Sequence, residues 1–261
     1  MKHWKLALAL TLTMASAASI QPVAAAQEID ATLHWARRVE LGMLVSGIVQ
    51  EVTVGSGQHV LAGQALVMLD ARDFEARLAG ATAHLAGVLP ALEEAREELE
   101  RAGDLYDRTL LSEHDLELTR VAVAKLEAER AHADARVARA ALRLERGTLR
   151  APFAGIIVAR SVEAGQAIVS RCESRTLVVL AGDENFIART ALDAQSIADL
   201  SIGQELAVLA GDLTLTGKLA AIAPEPLPDL SDGPRYVVDV LVPRPEKGGL
   251  LVGQGVRLKL P

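Results

Sequence analysis

Two stretches of this chain hold a four-and-three spacing of apolar residues long enough to exclude most globular folds. In the first, Phe74, Leu78, Ala81, Leu85, Val88, Leu92, Ala95, Leu99 and Ala102 follow that rhythm; in the second, Leu116, Thr119, Val123, Leu126, Arg130, Ala133, Val137, Ala140 and Leu144 repeat it. Held over about four heptads, the spacing predicts two helices meeting along a coiled-coil seam. Residues 106–111 between them are enough for a turn and too few for a domain, so residues 71–147 read as an antiparallel α-helical hairpin. Each arm has about 35 residues, hence about 50 Å at 1.5 Å per residue. That is too long and thin to be a core of its own.

The chain on either side of the hairpin repeats itself. Gly47-Ile48-Val49, Val54, Gly57-Gln58 and Val60 recur as Gly155-Ile156-Ile157, Val162, Gly165-Gln166 and Ile168, always 108 residues later. Each copy reads as strand, turn, strand, with Gly47, Gly57, Gly155 and Gly165 as its turn glycines. Two half-copies, 46–70 and 148–175, cannot each bury an apolar face alone, so one small β-domain is expected with the hairpin inserted into it. The helix ends agree. Asp70 with Asp73, and Ser112 with Asp115, have capping-box spacing, and Gly147 stands where a C-terminal glycine closes a helix. Pro90 interrupts the first arm and is expected to kink or split it.

Residues 27–45 read as a lead-in strand. From residue 176 to 261 the pattern turns to short apolar runs at 176–180, 186–190, 205–209, 213–222, 236–242 and 255–260, with a short helix from Asp193. These predict a small antiparallel β-barrel. At the other end, Lys2 and Lys5, an apolar run from Leu6 to Ile20 and Ala24-Ala25-Ala26 describe a secretory signal peptide over residues 1–26. The competing reading is a retained anchor, for which the run is short.

Charge and composition narrow the function. Removing the signal costs Lys2 and Lys5 and no acid, leaving 25 basic against 34 acidic residues, a formal charge of −9. An acidic exported chain is unsuited to nucleic acid. Cys172 alone excludes a disulfide framework and a lipid anchor at the cleavage site. The six histidines have no ligand spacing, so neither metal site nor cofactor is expected. Glu93, Glu94, Glu97 and Glu98 read as a solvated helix face rather than paired catalytic acids, with Arg96 and Arg101 placed to relieve their repulsion. No nucleophile elbow, P-loop or zinc-protease pattern occurs, so the chain is read as no enzyme.

The stretches Val45-Ser46-Gly47-Ile48-Val49, Val60-x-x-Gly63-Gln64-x-Leu66-x-x-Leu69-Asp70 and Leu149-Arg150-Ala151-Pro152-Phe153-Ala154-Gly155 resemble the periplasmic adaptor subunits (membrane fusion proteins, HlyD type) of tripartite efflux systems. The resemblance spans about residues 40–261. It implies an elongated α+β multidomain chain: a split lipoyl-like β-domain carrying the hairpin, then the β-barrel, with little or no membrane-proximal domain. It implies a non-catalytic adaptor in the periplasm, joining an inner-membrane transporter to a TolC-like outer-membrane channel and self-associating as a hexamer, for export of drugs or other small toxic compounds. The family's channel-docking spacing at the hairpin tip, Arg then Leu four later then Ser seven later, falls on Arg101, Leu105 and Ser112. Local readings compete at each: a solvated arginine, a core leucine and a helix cap. A resistance-nodulation-division (RND) transporter is the expected partner; an ATP-driven exporter or type I secretion system is the alternative. A lipoyl or biotinyl carrier is the distant one, because the hairpin's only lysine, Lys125, lies mid-helix.

Overall fold

A computed structural model describes residues 27–170, 175–228, 233–245 and 249–261. The expected signal peptide at 1–26 and Cys172 lie outside the described residues. Strands β1 (Glu28–Trp35), β2 (Arg38–Leu41), β3 (Gly47–Val52), β4 (His59–Val60) and β5 (Ala65–Leu69) precede helices α1 (Arg72–Asp107) and α2 (Glu113–Glu145). Then follow β6 (Thr148–Arg150), β7 (Gly155–Arg160), β8 (Ala167–Ile168), β9 (Val178–Ala181), β10 (Asn185–Asp193), α3 (Ala194–Ile197), β11 (Glu205–Ala210), β12 (Leu213–Pro226), β13 (Arg235–Pro243) and β14 (Gly255–Lys259).

The 108-residue repeat becomes two interlocked sheets, ordered β2-β9-β7-β4 and β6-β5-β3-β8. Strands are exchanged between the copies. β3 pairs with β8, Gly47 opposite Ile168, while β7 pairs with β4, Gly155 opposite Val60. Both sheets contribute to one core, in which Val49, Leu66, Val67, Ile157, Leu177 and Leu180 are fully buried. The register shifts between Val49 and Glu51 and between Ile157 and Ala159 also stand 108 residues apart. The sandwich is therefore a two-copy structure in which each half completes the other.

One turn is used five times. Gly57, Gly63, Gly165, Gly203 and Gly253 have φ between 78° and 88°, a conformation that favours glycine because it has no Cβ. A glutamine follows each, and its Oε1 accepts from the backbone N–H three residues back at 3.0–3.2 Å. Each glycine N–H then donates to the carbonyl of a facing residue (Ile157, Ala151, Val49, Leu219 and Leu33 in turn) at 2.7–2.8 Å. Those five are at most 2% exposed. Gly47 and Gly155, read above as turn glycines, are strand residues without positive φ. Close approach explains them: a Cβ on Gly155 would lie 2.1 Å from the Ala181 carbonyl oxygen, and one on Gly47 3.0 Å from Leu69 Cδ1.

The hairpin follows its seam. In α1 all nine seam residues are buried or half-buried; in α2 only Arg130 is exposed. Arg130 turns instead to Asp134 at 3.6 Å. Phe74 and Leu144 pack the root of the hairpin onto the sandwich core. The helix is assigned without interruption through Pro90, so the first arm is not split, and Pro90 itself is exposed.

The caps differ in detail. Ala71 already has helical dihedrals, and the Asp70 carboxylate accepts from the Arg72 N–H at 3.1 Å. No reciprocal box forms there, because the Asp70 N–H donates to Ile48 O and Asp73 pairs with Arg77. Ser112 is the N-cap of α2, its Oγ accepting from the Asp115 N–H at 3.2 Å. Gly147 follows the C-cap Arg146 without positive φ. It is instead buried against α1, where a Cβ would stand 3.5 Å from the Phe74 ring.

The barrel closes in the order β1-β10-β13-β12-β11-β14. Two sequence readings are corrected here. The lead-in strand β1 is a barrel strand, with Ile29 opposite Leu258 and Thr32 opposite Arg189. Without it β10 and β14 would present open edges. Conversely, the run at 176–180, taken as the first barrel strand, supplies β9 of the sandwich between β2 and β7. Leu33, Phe186, Val208, Val240 and Leu258 fill the barrel interior. At the junction, the Arg37 guanidinium lies 3.6 Å from the Phe153 ring centroid, and Asp183 pairs with His59 at 2.8 Å and Arg244 at 3.3 Å.

Candidate docking site at the hairpin tip

Helix α1 ends in a motif whose closing residue is the wrong type for its conformation. The Thr109 N–H donates to Tyr106 O at 2.8 Å and the Leu110 N–H to Leu105 O at 2.9 Å. That is the Schellman pairing, which places its C′ residue in the left-handed region and is usually filled by glycine. Here the residue is Thr109, φ 59°, the only non-glycine with positive φ among the described residues. A β-branched side chain there costs on the order of 1–3 kcal/mol, and such strain clusters at functional positions.

Around that turn the hairpin shows apolar surface. Leu110 is 71% exposed, Leu105 41% and Tyr106 38%. Leu105 is thus not the core residue that the competing local reading made it. Leu110 and Thr109 were not singled out from the sequence. A leucine in a short turn carries no periodicity, and backbone strain leaves no mark on composition.

Arg101 and Leu105 lie one helical turn apart on α1, and Ser112 lies beyond the turn on α2. The guanidinium of Arg101 is engaged by its own helix, 2.9 Å from Glu98, 3.4 Å from Glu94 and 3.5 Å from Glu97. The hydrogen bond to Glu98 raises the Arg101 pKa. It thereby relieves the glutamate repulsion anticipated from sequence. Arg96 does something else: it crosses to Glu127 of α2 at 2.8 Å. With His84–Glu129 at 2.9 Å, it ties the two arms together. The Ser112 hydroxyl is occupied at the cap, donating to Asp115 Oδ2 at 2.6 Å as well as accepting from its N–H.

Among the described residues no group of three or more His, Cys, Asp or Glu side chains could hold a metal ion, and no helix is long and apolar enough to cross a membrane. The tip can therefore be read only as a surface: an apolar point held by a strained turn, with an acidic, arginine-clamped flank.

The chain matches the CzcB-like barrel-sandwich hybrid domain over residues 37–179, more than half its length. It is 27% identical over 223 residues to the nickel-cobalt-cadmium resistance protein NccB of Alcaligenes xylosoxydans xylosoxydans, covering 82% of this chain and 52% of that protein. It is 31% identical over 139 residues to the multidrug resistance protein MdtA of Pectobacterium carotovorum, covering 53% and 34% respectively. The chain thus spans about half, or less, of these relatives. Its fold is similar to that of the membrane fusion protein Spr0693 of Streptococcus pneumoniae, with TM-score 0.73 and 21% identity, covering 90% of this chain and 98% of that one. This protein belongs to the CzcB-like barrel-sandwich hybrid family of membrane fusion proteins, the periplasmic adaptors of efflux pumps.

Proposed function

We propose that this protein is a non-catalytic periplasmic adaptor that joins an inner-membrane efflux transporter of the RND type to a TolC-like outer-membrane channel. In this reading the sandwich is a lipoyl-like ring-forming domain, six copies assemble, and the hairpin reaches the channel with Arg101, Leu105 and Ser112 at its docking end. The observation that carries it is the exposed apolar tip at the end of a stiff arm. α1 has 36 residues, about 54 Å at 1.5 Å per residue. Both arms are clamped together, and the one strained turn presents Leu110 to solvent. Apolar surface at the far end of such a lever is expensive unless a partner covers it. The names of the relatives point to toxic metal ions and to drugs as pumped compounds, so the cargo is proposed as small toxic molecules.

The test is site-specific crosslinking in cells from a photoreactive residue at position 110, with one at exposed Lys125 as the mid-hairpin control. The adaptor reading expects an adduct with an outer-membrane channel from 110 and none from 125. Adducts from 110 confined to inner-membrane proteins would overturn it.

A further inference from the structure

The root of the hairpin carries a groove that the adaptor reading does not use. It measures about 360 Å³ and runs across the face shared by the two helices, floored by Phe74, Ala81 and Ala140. Phe74 is 8% and Ala140 9% exposed. Gly80, whose missing side chain meets nothing within 4 Å, leaves the α1 wall low.

The other wall is cationic. Arg136, Arg139 and Arg143 stand at i, i+3 and i+7 on α2, so their guanidinium groups line one edge of the groove. Across from them are Arg77 and His84, but these two are already neutralised, by Asp73 at 2.8 Å and Glu129 at 2.9 Å. The three α2 arginines have no hydrogen bond or ion pair among the described residues. This sets them apart from Arg96, Arg101, Arg120 and Arg130 on the same hairpin, each of which is paired. Arg143, in the last turn of α2, offsets the negative end of the helix dipole; Arg136 and Arg139 lie beyond the reach of that effect. In a chain with formal charge −7, three unpaired arginines beside an apolar floor are not a generic solvated face.

We propose that this groove is a binding site for an organic anion with an apolar body and an oxyanion head, such as a sulfonate, carboxylate or phosphate ester. The body rests on Phe74, Ala81 and Ala140, and the head accepts hydrogen bonds from the Arg136, Arg139 and Arg143 guanidinium groups, whose planar forks suit such heads. The volume lies at the lower end of the range for small-molecule sites. A second copy of this chain fits less well. In a like-oriented neighbour the acids at the height of the groove are Asp73 and Glu75, of which Asp73 is spent on Arg77. The site stands whether or not the hairpin tip docks a channel.

The probe is 8-anilinonaphthalene-1-sulfonate, titrated by fluorescence against the exported protein, with the uncharged N-phenyl-1-naphthylamine as its matched control. The Arg139→Gln/Arg143→Gln variant is expected to bind the sulfonate about tenfold more weakly while retaining its helical circular dichroism and its binding of the neutral dye. Arg120→Gln, on the distal half of α2, is expected to bind like the unaltered protein. Sulfonate binding should also weaken as salt is raised. Cosedimentation with phosphatidylglycerol but not phosphatidylcholine vesicles, lost in the double variant, would assign the head group to a lipid. Sulfonate binding without vesicle binding would assign it to a free anion. Unchanged sulfonate affinity in the double variant, or equal loss of both dyes, overturns the site. So does an altered sedimentation coefficient with unchanged dye binding, which would make the groove a contact between copies.

Discussion

The N–H of Gly165 donates to the carbonyl of Val49 at 2.8 Å, and 108 residues earlier in each partner's place the N–H of Gly57 donates to the carbonyl of Ile157 at 2.7 Å. Each half of the sandwich thus closes its turn on the other half's strand. Val49 and Ile157 return their own N–H groups to Gln166 and Gln58, both at 2.9 Å. Neither half is complete without the other. The segment between them must therefore leave and re-enter at one place, and Met68 pairs with Thr148 across its base. An antiparallel hairpin satisfies that condition without opening the core.

The glycines of this arrangement separate into two kinds, with different penalties. Gly165→Ala places a Cβ in open space but at φ 82°, and is expected to lower stability by about 1 kcal/mol. Gly155→Ala drives a Cβ against the Ala181 carbonyl oxygen, and is expected to cost about 3 kcal/mol or to prevent folding of the sandwich. Urea denaturation of the exported protein checks both. Equal losses would contradict the distinction.

Thr109→Gly relieves the left-handed threonine and is expected to stabilise the hairpin by about 1 kcal/mol. Thr109→Val keeps the β-branch and loses the hydroxyl's hydrogen bond to Arg108 O, and should not stabilise. Thermal melts followed by circular dichroism at the helical band distinguish them. If strain at the tip serves docking, the more stable glycine variant will pump less well.

Asp70 contributes to the acid limb of stability. Its hydrogen bond from Arg72 lowers its pKa from the ordinary 3.8 to about 2. A depressed carboxylate stabilises the fold above its unfolded pKa, and that contribution fades as pH falls from about 4 through about 2. Asp70→Asn should therefore flatten the melting-temperature profile across that window and change little near neutrality beyond a constant offset. A profile of unchanged slope would remove Asp70 from the account.

Arg101→Asp replaces the clamp on Glu94, Glu97 and Glu98 with a fourth carboxylate. Because the site is exposed, folding and export should survive. Under the proposed docking role, efflux in a sensitised strain should fall to the level of a deletion, and Leu105→Glu should do the same. Normal resistance in both variants would make the tip assignment wrong.

Much of the hairpin was legible because helix burial is periodic and local: nine spaced residues in one arm named the buried side, and the structure buries or half-buries all nine. Arg101, Leu105 and Ser112 could be located on it for the same reason. Their surroundings could not. Whether Leu105 is covered depends on where the second arm ends, and the αL turn at Thr109 depends on how the two helices close. The anion groove was hidden too, since Arg136, Arg139 and Arg143 look like any solvated stripe until Phe74 and Gly80 are brought beside them.

By itself the sequence determined the two seams, the insertion point and the duplicated strand–turn–strand unit, because each depends on residues close together in the chain or on direct self-similarity. Tertiary structure alone decided which sheet each short strand joined. β1 left the lead-in for the barrel by pairing Glu28 with Lys259, and Val178–Ala181 left the barrel for the sandwich by pairing with β2 and β7. An apolar run records that a strand is buried, but its partner is chosen by edges that lie far away in sequence. The hairpin's long arms were written locally; the surfaces at its tip and root came into being only when the two arms met.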